Sequence, residues 1–183
     1  YTAHELGHKK PEFERWLAKI VLAVPTYGHF CIEHNRGHHI RVATPEDPAS
    51  SRYGEGFYRF WVRTVSGSLA SAWRLEKQRL GRKGHSAWSW KNHNLQGWAL
   101  TVLLFAGTTA VFGIDILPFL LIQAVIGFSL LEVVNYLEHY GLKRRRNDKG
   151  AYERVKPCHS WNSNHKVSNL MLYHLQRHSD HHA

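Results

Sequence analysis

The chain has 183 residues, enough for one domain with a sizeable core, and 24 Lys and Arg residues against 14 Asp and Glu give a formal net charge of +10. The two cysteines, Cys31 and Cys158, form no CxxC pair, which argues against a zinc ribbon, an iron–sulfur site and a disulfide framework. The basic balance fits a nucleic acid, an anionic membrane surface or an acidic protein partner, and also a merely solvated basic face. Histidine is the anomaly, with 15 residues.

The first histidine pair stands at the start of the chain. The sequence HELGH places His4 and His8 one turn apart on a predicted helix over residues 3–10. An apolar run over residues 12–32 follows, interrupted by Pro25 and short of a clean membrane span. It predicts a kinked helix, buried or at the membrane interface, that leads into the second histidine segment.

Two further histidine segments are denser. Residues 33–39 read EHNRGHH, and on an α-helix His34 and His38 would face the same way, with His39 displaced around the axis. A final helix is predicted over residues 168–182. Its last histidines, spaced by three and four, are expected to share one face: His178, His181 and His182. We expect the three segments to converge on one metal centre.

The stretch between the second histidine segment and the hydrophobic region divides into a loop and a helix. Residues 40–56 contain Pro, Gly and Ser and predict a loop. Residues 57–82 show aromatic side chains near helical spacing with interleaved arginines, which predicts an amphipathic helix on or near a membrane. Trp88 and Trp90 then suit an interfacial aromatic belt.

Two uncharged runs carry the strongest hydrophobic signal and predict membrane spans near 97–113 and 116–138. Their short connection predicts a hairpin with Asp115 at its tip. Both ends of the hairpin are basic, so the histidines are expected on the cytoplasmic side. The sequence thus predicts an all-α integral membrane helical bundle with cytoplasmic histidine-rich helices. A buried helical hairpin in a soluble protein is the alternative, although such adjacent runs are uncommon there.

The second span carries polar groups toward the histidines. A carboxylate inside a membrane helix is costly and is usually functional, which singles out Glu132. Asn135 and His139 lie near the same face, so His139 becomes a ninth candidate ligand. Five other histidines lack a partner one turn away and are interpreted as surface or hydrogen-bonding residues: His29, His85, His93, His159 and His165. His174 lies one turn before His178 and is interpreted as a residue next to the ligands rather than a ligand.

Neutral imidazole binds zinc, copper, iron and nickel, and nine imidazoles are too many for one ion but suit two iron ions. Two other functions remain open. HELGH matches the HExxH signature of zinc metalloproteases, although that signature leaves the other clustered histidines unexplained. A metal transporter or chaperone would be expected to carry ligands inside the spans, and the two long runs contain none.

The motifs resemble those of a known family. HELGHK at 4–9, EHNRGHH at 33–39, NYLEHYG at 135–141, LQRHSDHHA at 175–183 and the loop at 43–61 together resemble the membrane-bound alkane 1-monooxygenases, within the membrane fatty acid desaturase and hydroxylase superfamily. The HYG element and the extended second segment are the specific features. A related membrane hydroxylase or desaturase acting on methylated aromatics or acyl chains is the nearest alternative.

The resemblance implies a non-haem di-iron enzyme of the bacterial cytoplasmic (inner) membrane, multi-pass, that hydroxylates the terminal carbon of n-alkanes with O2. Electrons would come from rubredoxin, reduced by rubredoxin reductase, with membrane lipids around the protein and no nucleic-acid partner. The implied iron ligands are His4, His8, His34, His38, His39, His139, His178, His181 and His182. Neighbouring groups expected to orient their rings are Glu5, Glu33, Glu132, Asn135, Glu138 and Asp180.

The resemblance also bears on completeness. The family has six spans, so we expect residues 1–183 to be part of a single catalytic region that carries the last two. Chain-length selectivity would then depend largely on preceding segments. The cluster KRRR at 143–146 follows the second span and is expected to set topology, and to attract acidic rubredoxin.

Overall fold

The computed structural model describes residues 2–9, 11–171 and 177–182, without the side chains of Ser168, Met171, Asp180 and His182. Within these residues the chain is helical and contains no strand, only two isolated bridges. The helices begin with α1 (Thr2–His8) and α2 (Glu12–Ala23). The all-α fold class predicted from the sequence is confirmed.

The second histidine segment lies on a composite helix. It consists of α3 (Phe30–Glu33), a π-helical turn (His34–His38) and α4 (His39–Arg41). The helices that follow are α5 (Phe57–Gly81), α6 (His93–Phe112), α7 (Leu117–His139), α8 (Lys166–Met171) and α9 (His178–His182). Short 3₁₀ turns occur at Ile114–Ile116 and Pro157–His159.

The single kinked helix expected through residue 32 is wrong, because the chain breaks between α2 and α3. Pro25 has no N–H to continue the helix, and Thr26 adopts a left-handed φ of 56°. Three residues after Pro25, Gly28 packs directly against Gly97 of α6. A Cβ added to Gly28 would lie 3.0 Å from the Gly97 Cα. The break therefore lets α3 turn back toward the histidines while α2 stays against α6.

Helix α5 buries one stripe of polar and apolar side chains against the rest of the protein. Its fully buried positions include Phe60, Thr64 and Glu76, at helical spacing. Trp61 Nε1 donates to Ser129 Oγ of α7 at 2.9 Å. The aromatic residues of α5 thus pack in part against the second predicted span.

Helices α6 and α7 are long and apolar enough to cross a membrane, and only 11% of the apolar stretch of each is buried within the protein. Exposed side chains such as Leu103, Val111, Phe119 and Ile122 cover their outer faces. A tight turn with Gly113 at φ 84° joins them, as the predicted hairpin requires. The two candidate spans agree with the predicted ones to within a few residues.

The loop between α4 and α5 is fixed by polar contacts. Arg63 of α5 donates to both oxygens of Glu55, at 2.9 and 2.7 Å, and to the carbonyls of Pro48 and Ser50. Ser51 Oγ donates to the Tyr136 carbonyl at the end of α7. The loop is therefore held against the end of α7 where the histidines gather.

Candidate metal centre

Five histidines from four helices form one cluster, termed the five-histidine cluster: His4, His8, His34, His39 and His181. The first two come from α1, and coordinating atoms of His4, His8, His34 and His181 lie within 4.8 Å of one another. Nε2 of His34 is 2.7 Å from Nε2 of His4 and 3.3 Å from that of His181. His39 Nε2 is 3.1 Å from the Nε2 atoms of both His34 and His181.

A second group, termed the three-histidine cluster, consists of His38, His139 and His178. All three side chains are buried, and His139 is fully so. The ring centroid of His139 lies 4.7 Å from that of His38 and 5.0 Å from that of His178. The histidine that ends α7 therefore joins histidines from the π-helical turn and from α9.

The π-helical turn separates neighbours that an α-helix would align. The His39 N–H bonds to the His34 carbonyl, five residues back, so the wider turn brings His34 and His39 to one side. His38 points to the other cluster. The rings of His34 and His38 stack with centroids 5.3 Å apart, in agreement with the predicted shared face, but the two residues belong to different clusters and His39 joins His34.

Helix α9 is divided in the same way. His178 belongs to the three-histidine cluster and His181 to the five-histidine cluster, although their rings stack at 5.5 Å between centroids. The stacking agrees with the prediction that His178 and His181 share a face, but that face contributes to both clusters rather than to one. The side chains of Asp180 and His182 lie outside the described residues.

Two histidines of the three-histidine cluster have a ring nitrogen in contact with an oxygen on the side away from the cluster. Asp47 Oδ2 is 2.8 Å from His38 Nδ1, and the His159 carbonyl is 3.3 Å from His139 Nδ1. When Nδ1 bonds outward, Nε2 is left to face a metal ion. Sequence reasoning missed Asp47 and His159, because one lies in an irregular loop and the other contributes a backbone carbonyl.

The carboxylates singled out from the sequence divide into two groups. Glu5 lies 3.2 Å from His4 Nδ1 and Glu138 lies 3.3 Å from His178 Nδ1. Glu33 instead accepts from Arg41 Nη2 at 2.6 Å. This places Glu33 in an ion pair behind the π-helical turn rather than against a histidine of either cluster.

Glu132 is the centre of a buried polar network one layer away from the histidines. It accepts from Tyr27 Oη at 2.7 Å, from Thr64 Oγ1 at 2.9 Å and from Asn135 Nδ2 at 3.2 Å. These contacts satisfy a carboxylate whose side chain is almost fully buried. The network ties α5 and α7 to the segment between α2 and α3.

Burial keeps the histidines of the five-histidine cluster neutral. Desolvation, helped by neighbouring rings, lowers the pKa of His4 to about 2, that of His39 to about 3 and that of His181 to about 4. The pKa of His34 falls well below its ordinary value for the same reasons. Neutral imidazole is the form that binds a metal ion, so the cluster is in its ligand form at pH 7.

The spacing of the ring nitrogens fits a metal ion. Two imidazole nitrogens, each ~2.1 Å from one ion at an angle of ~90–110°, lie about 3.0–3.4 Å apart. Three of the Nε2 pairs of the five-histidine cluster fall in this range. In addition, Nε2 of His8 is buried without a hydrogen-bond partner among the described residues, which a metal ion would supply.

A family model for fatty acid desaturases matches residues 1–183. The chain belongs to the fatty acid desaturase family. Its curated relatives include the alkane 1-monooxygenases of Ectopseudomonas oleovorans and Alcanivorax borkumensis, each 59% identical over 182 residues, covering 100% of this chain and 45% of the relative. The xylene/toluene monooxygenase hydroxylase component of Pseudomonas putida is 28% identical over 99% of this chain and 48% of its own length. The chain thus spans about half the length of the relatives it matches.

This desaturase-family chain also carries an apolar cavity of about 450 Å³ beside the clusters, within the usual size range of ligand pockets. His4 and His34 line it from the five-histidine cluster, and His178 from the three-histidine cluster. Its apolar wall comes mainly from α2, α3 and α7: Leu22, Val24, Phe30, Leu130, Leu131 and Val134. A ligand in this cavity would contact histidines of both clusters.

Proposed function

We propose that the protein is a membrane-bound non-haem di-iron monooxygenase that hydroxylates the terminal carbon of n-alkanes to 1-alkanols, using O2 and electrons delivered by rubredoxin. The observation that carries the proposal is the position of two histidine clusters at one apolar cavity. It is supported by the 59% identity to alkane 1-monooxygenases. An apolar cavity suits a substrate that has no polar group to recognise.

The proposed ligands divide between two sites. The five-histidine cluster would hold one iron, and the three-histidine cluster the other. His182 stays a proposed ligand from the sequence alone. When bound, the two iron ions would supply O2 activation for insertion of one oxygen atom into a C–H bond, a chemistry that imidazole ligands and open coordination positions suit.

The chain's own residues would orient the ligands and exclude water. Asp47 would orient the ring of His38 through its Nδ1 atom, and Glu138 lies 3.3 Å from Nδ1 of His178. The cavity wall formed by Leu131 and Val134 offers no hydrogen bond, so an alkane would be held by shape and apolar contact. Its end nearest the histidines is where a terminal methyl group would lie.

The candidate spans and their flanks support a proposed membrane position. We propose the cytoplasmic membrane of a bacterium, with the histidines on the cytoplasmic side, because basic residues precede α6 and follow α7. In the cluster at 143–146, Arg144 donates to the carbonyls of Ile40 and Glu153. Lys143 and Arg145 are exposed and form the proposed attraction for acidic rubredoxin.

The proposal is tested on the intact protein, purified in lipid nanodiscs. We expect about two iron ions per chain and little zinc, since the paired histidine clusters suit two metal ions. With rubredoxin, its reductase and NAD(P)H, an n-alkane should give the 1-alkanol, measured by gas chromatography. A zinc-dominated preparation would contradict the di-iron assignment.

A second candidate is a related membrane hydroxylase or desaturase. The 28% identity to the xylene/toluene monooxygenase hydroxylase component favours a methylated aromatic as its substrate. The same preparation is therefore assayed on an n-alkane, a methylated aromatic and an acyl substrate. Faster turnover of the aromatic or the acyl chain than of the alkane would replace the proposed substrate class while keeping the metal centre.

A further inference from the structure

A second cavity, of about 350 Å³, lies on the other side of α1 and is strongly basic. It is bounded by α2, the π-helical turn and the first turn of α6. We term it the basic cavity, and the cationic and donor side chains that line it are Lys9, Arg15, Lys19, Arg36, His93 and Gln96. Of the described residues that line it, Glu12 is the one that carries a carboxylate. The cavity therefore has a marked excess of positive charge.

Lys19 is held inside this cavity without a carboxylate partner among the described residues. Its Nζ donates to Gln96 Oε1 at 2.5 Å and to His93 Nδ1 at 3.1 Å, and it lies over the Trp16 ring at 4.2 Å. These contacts hold a half-buried ammonium group at the cavity, where Glu12 and Glu76 act on its charge from a distance and none of the described carboxylates forms a direct ion pair with it. Burial first, and then Arg15, lowers the pKa of Lys19 to about 8, the cost of desolvating a cation beside another cation.

Arg36 differs from Lys19 in having its own counter-charge. It donates to Glu76 Oε1 at 2.7 Å, and Glu76 also accepts from Arg79 and from the His93 N–H. The charge of Arg36 is therefore already paired, and this side chain lines the cavity in a fixed position. Lys19, Arg15 and Lys9 are the cations that an added anion would pair with.

The position of the cavity along α6 indicates the source of the anion. The cavity lies at the first turn of α6, the end at which this candidate span begins. Trp16 lines the cavity, and Gln96 Nε2 donates to the Trp90 carbonyl. Tryptophan beside basic side chains at the end of a span is typical of the phosphate level of a membrane.

We propose that the basic cavity binds a phosphate group, carried by the head of an anionic phospholipid, through Lys19 and Arg15. A phosphate monoanion offers several acceptors to an ammonium and a guanidinium group at once. A concave site of this size fits one headgroup, whereas a docked acidic protein would need a broader exposed surface. His8 of the five-histidine cluster also lines the cavity, but the proposed contacts, Lys19 and Arg15, belong to neither cluster, and the proposal does not depend on the proposed reaction.

The test uses the intact protein in nanodiscs of phosphatidylcholine with increasing phosphatidylglycerol, and follows the thermal unfolding midpoint and the lipid that stays bound in native mass spectrometry. We expect phosphatidylglycerol to raise the midpoint and to remain bound. In the Lys19→Met, Arg15→Gln double variant, the apparent affinity of the protein for phosphatidylglycerol should fall on the order of ten-fold, because two charge-assisted contacts are lost. The matched control, Arg59→Gln with Lys77→Met, removes the same charge from exposed positions of α5 and should respond as the wild type.

Two further measurements separate the sources of the anion and guard against misfolding. Inorganic phosphate added to phosphatidylcholine nanodiscs identifies a soluble phosphate as the ligand if it gives the same variant-sensitive shift. Arg15→Gln alone changes an exposed side chain and keeps the test informative if the double variant does not fold. An equal lipid response in the wild type and in both cavity variants overturns the site. So does a result in which those variants weaken only the docking of an acidic protein.

Discussion

Asp47 shows how one loop residue determines the orientation of a buried imidazole. Its side chain is fully buried and accepts from Ser50 Oγ at 2.6 Å while it contacts His38 Nδ1. Burial opposes its ionisation, but His38 and Ser50 outweigh that cost and hold its pKa below the ordinary value. The His38 ring is therefore fixed before any metal ion binds.

Replacing Asp47 by Asn should weaken metal binding at the three-histidine cluster by about 10–100-fold, because the ring of His38 loses its anionic partner. The measurement is a competition titration of the purified protein against a chelator of known affinity. Asp148→Asn, at an exposed turn, is the matched control and should retain the wild-type affinity. Equal affinities in the two variants would show that Asp47 has no part in metal binding.

His139 belongs to one cluster alone, so it tests whether the two sites are distinct. His139→Ala should leave about one iron per chain in place of about two, because the five-histidine cluster keeps its ligands. Iron is measured by mass spectrometry against protein concentration. His85→Ala, at a half-buried position that contacts Lys91 and belongs to neither cluster, serves as the control. Unchanged iron in His139→Ala would remove His139 from the proposed ligands.

At the scale of an element, the π-helical turn is the feature that distributes ligands between the clusters. Gly37 is the fourth of its five residues, and a Cβ there would clash with the side chains of Glu33 and Arg41. That ion pair packs behind the turn, and Arg41 Nη2 also donates to Ser71 Oγ of α5 at 2.7 Å. A side chain at position 37 would therefore displace this ion pair.

Gly37→Ala should destabilise the protein by about 1–3 kcal/mol, because the Glu33 and Arg41 side chains must move out of a well-packed site. Gly107→Ala on α6 is the matched control, since nothing lies within 4 Å of its added Cβ. Thermal unfolding of both variants in the same detergent gives the comparison. A Gly37→Ala protein as stable as the Gly107→Ala protein would contradict the packing argument.

The sequence predicted the elements well where the signal is local. The length of two uncharged runs predicted the positions of α6 and α7. The density of histidines identified three of the four segments that supply histidines to the clusters. The π-helical turn could not be predicted, because its extra residue per turn depends on packing against α5 rather than on local propensity. For the same reason the sequence did not predict that Glu33 pairs with Arg41, because this ion pair depends on the tertiary fold.

At the scale of the whole molecule, the buried histidines make stability depend on pH. In the metal-free protein the pKa values of His4, His39 and His181 lie at about 2 to 4, below the ordinary 6.5 of the unfolded chain. The unfolded state therefore binds more protons at acidic pH. Their contribution to stability is fully present above pH ~6.5 and is lost as pH falls toward the folded values.

We accordingly expect the unfolding midpoint of the chelator-treated protein to fall steadily between about pH 7 and pH 5, where unfolded histidines take up protons. The iron-loaded protein should show a weaker dependence, since bound metal keeps the rings from protonation. Differential scanning fluorimetry of both forms across this range is the measurement. A flat midpoint in the metal-free form would show that the histidines are not buried as a neutral cluster.

The division of α9 between the clusters has a consequence for how metal ions are acquired. This helix is only five residues long, and Asn162 holds its start through Ser179. Binding of an ion by His181 would also position His178 for the other cluster. We therefore expect an ion at one proposed site to raise the affinity for an ion at the other, by the same factor in both directions.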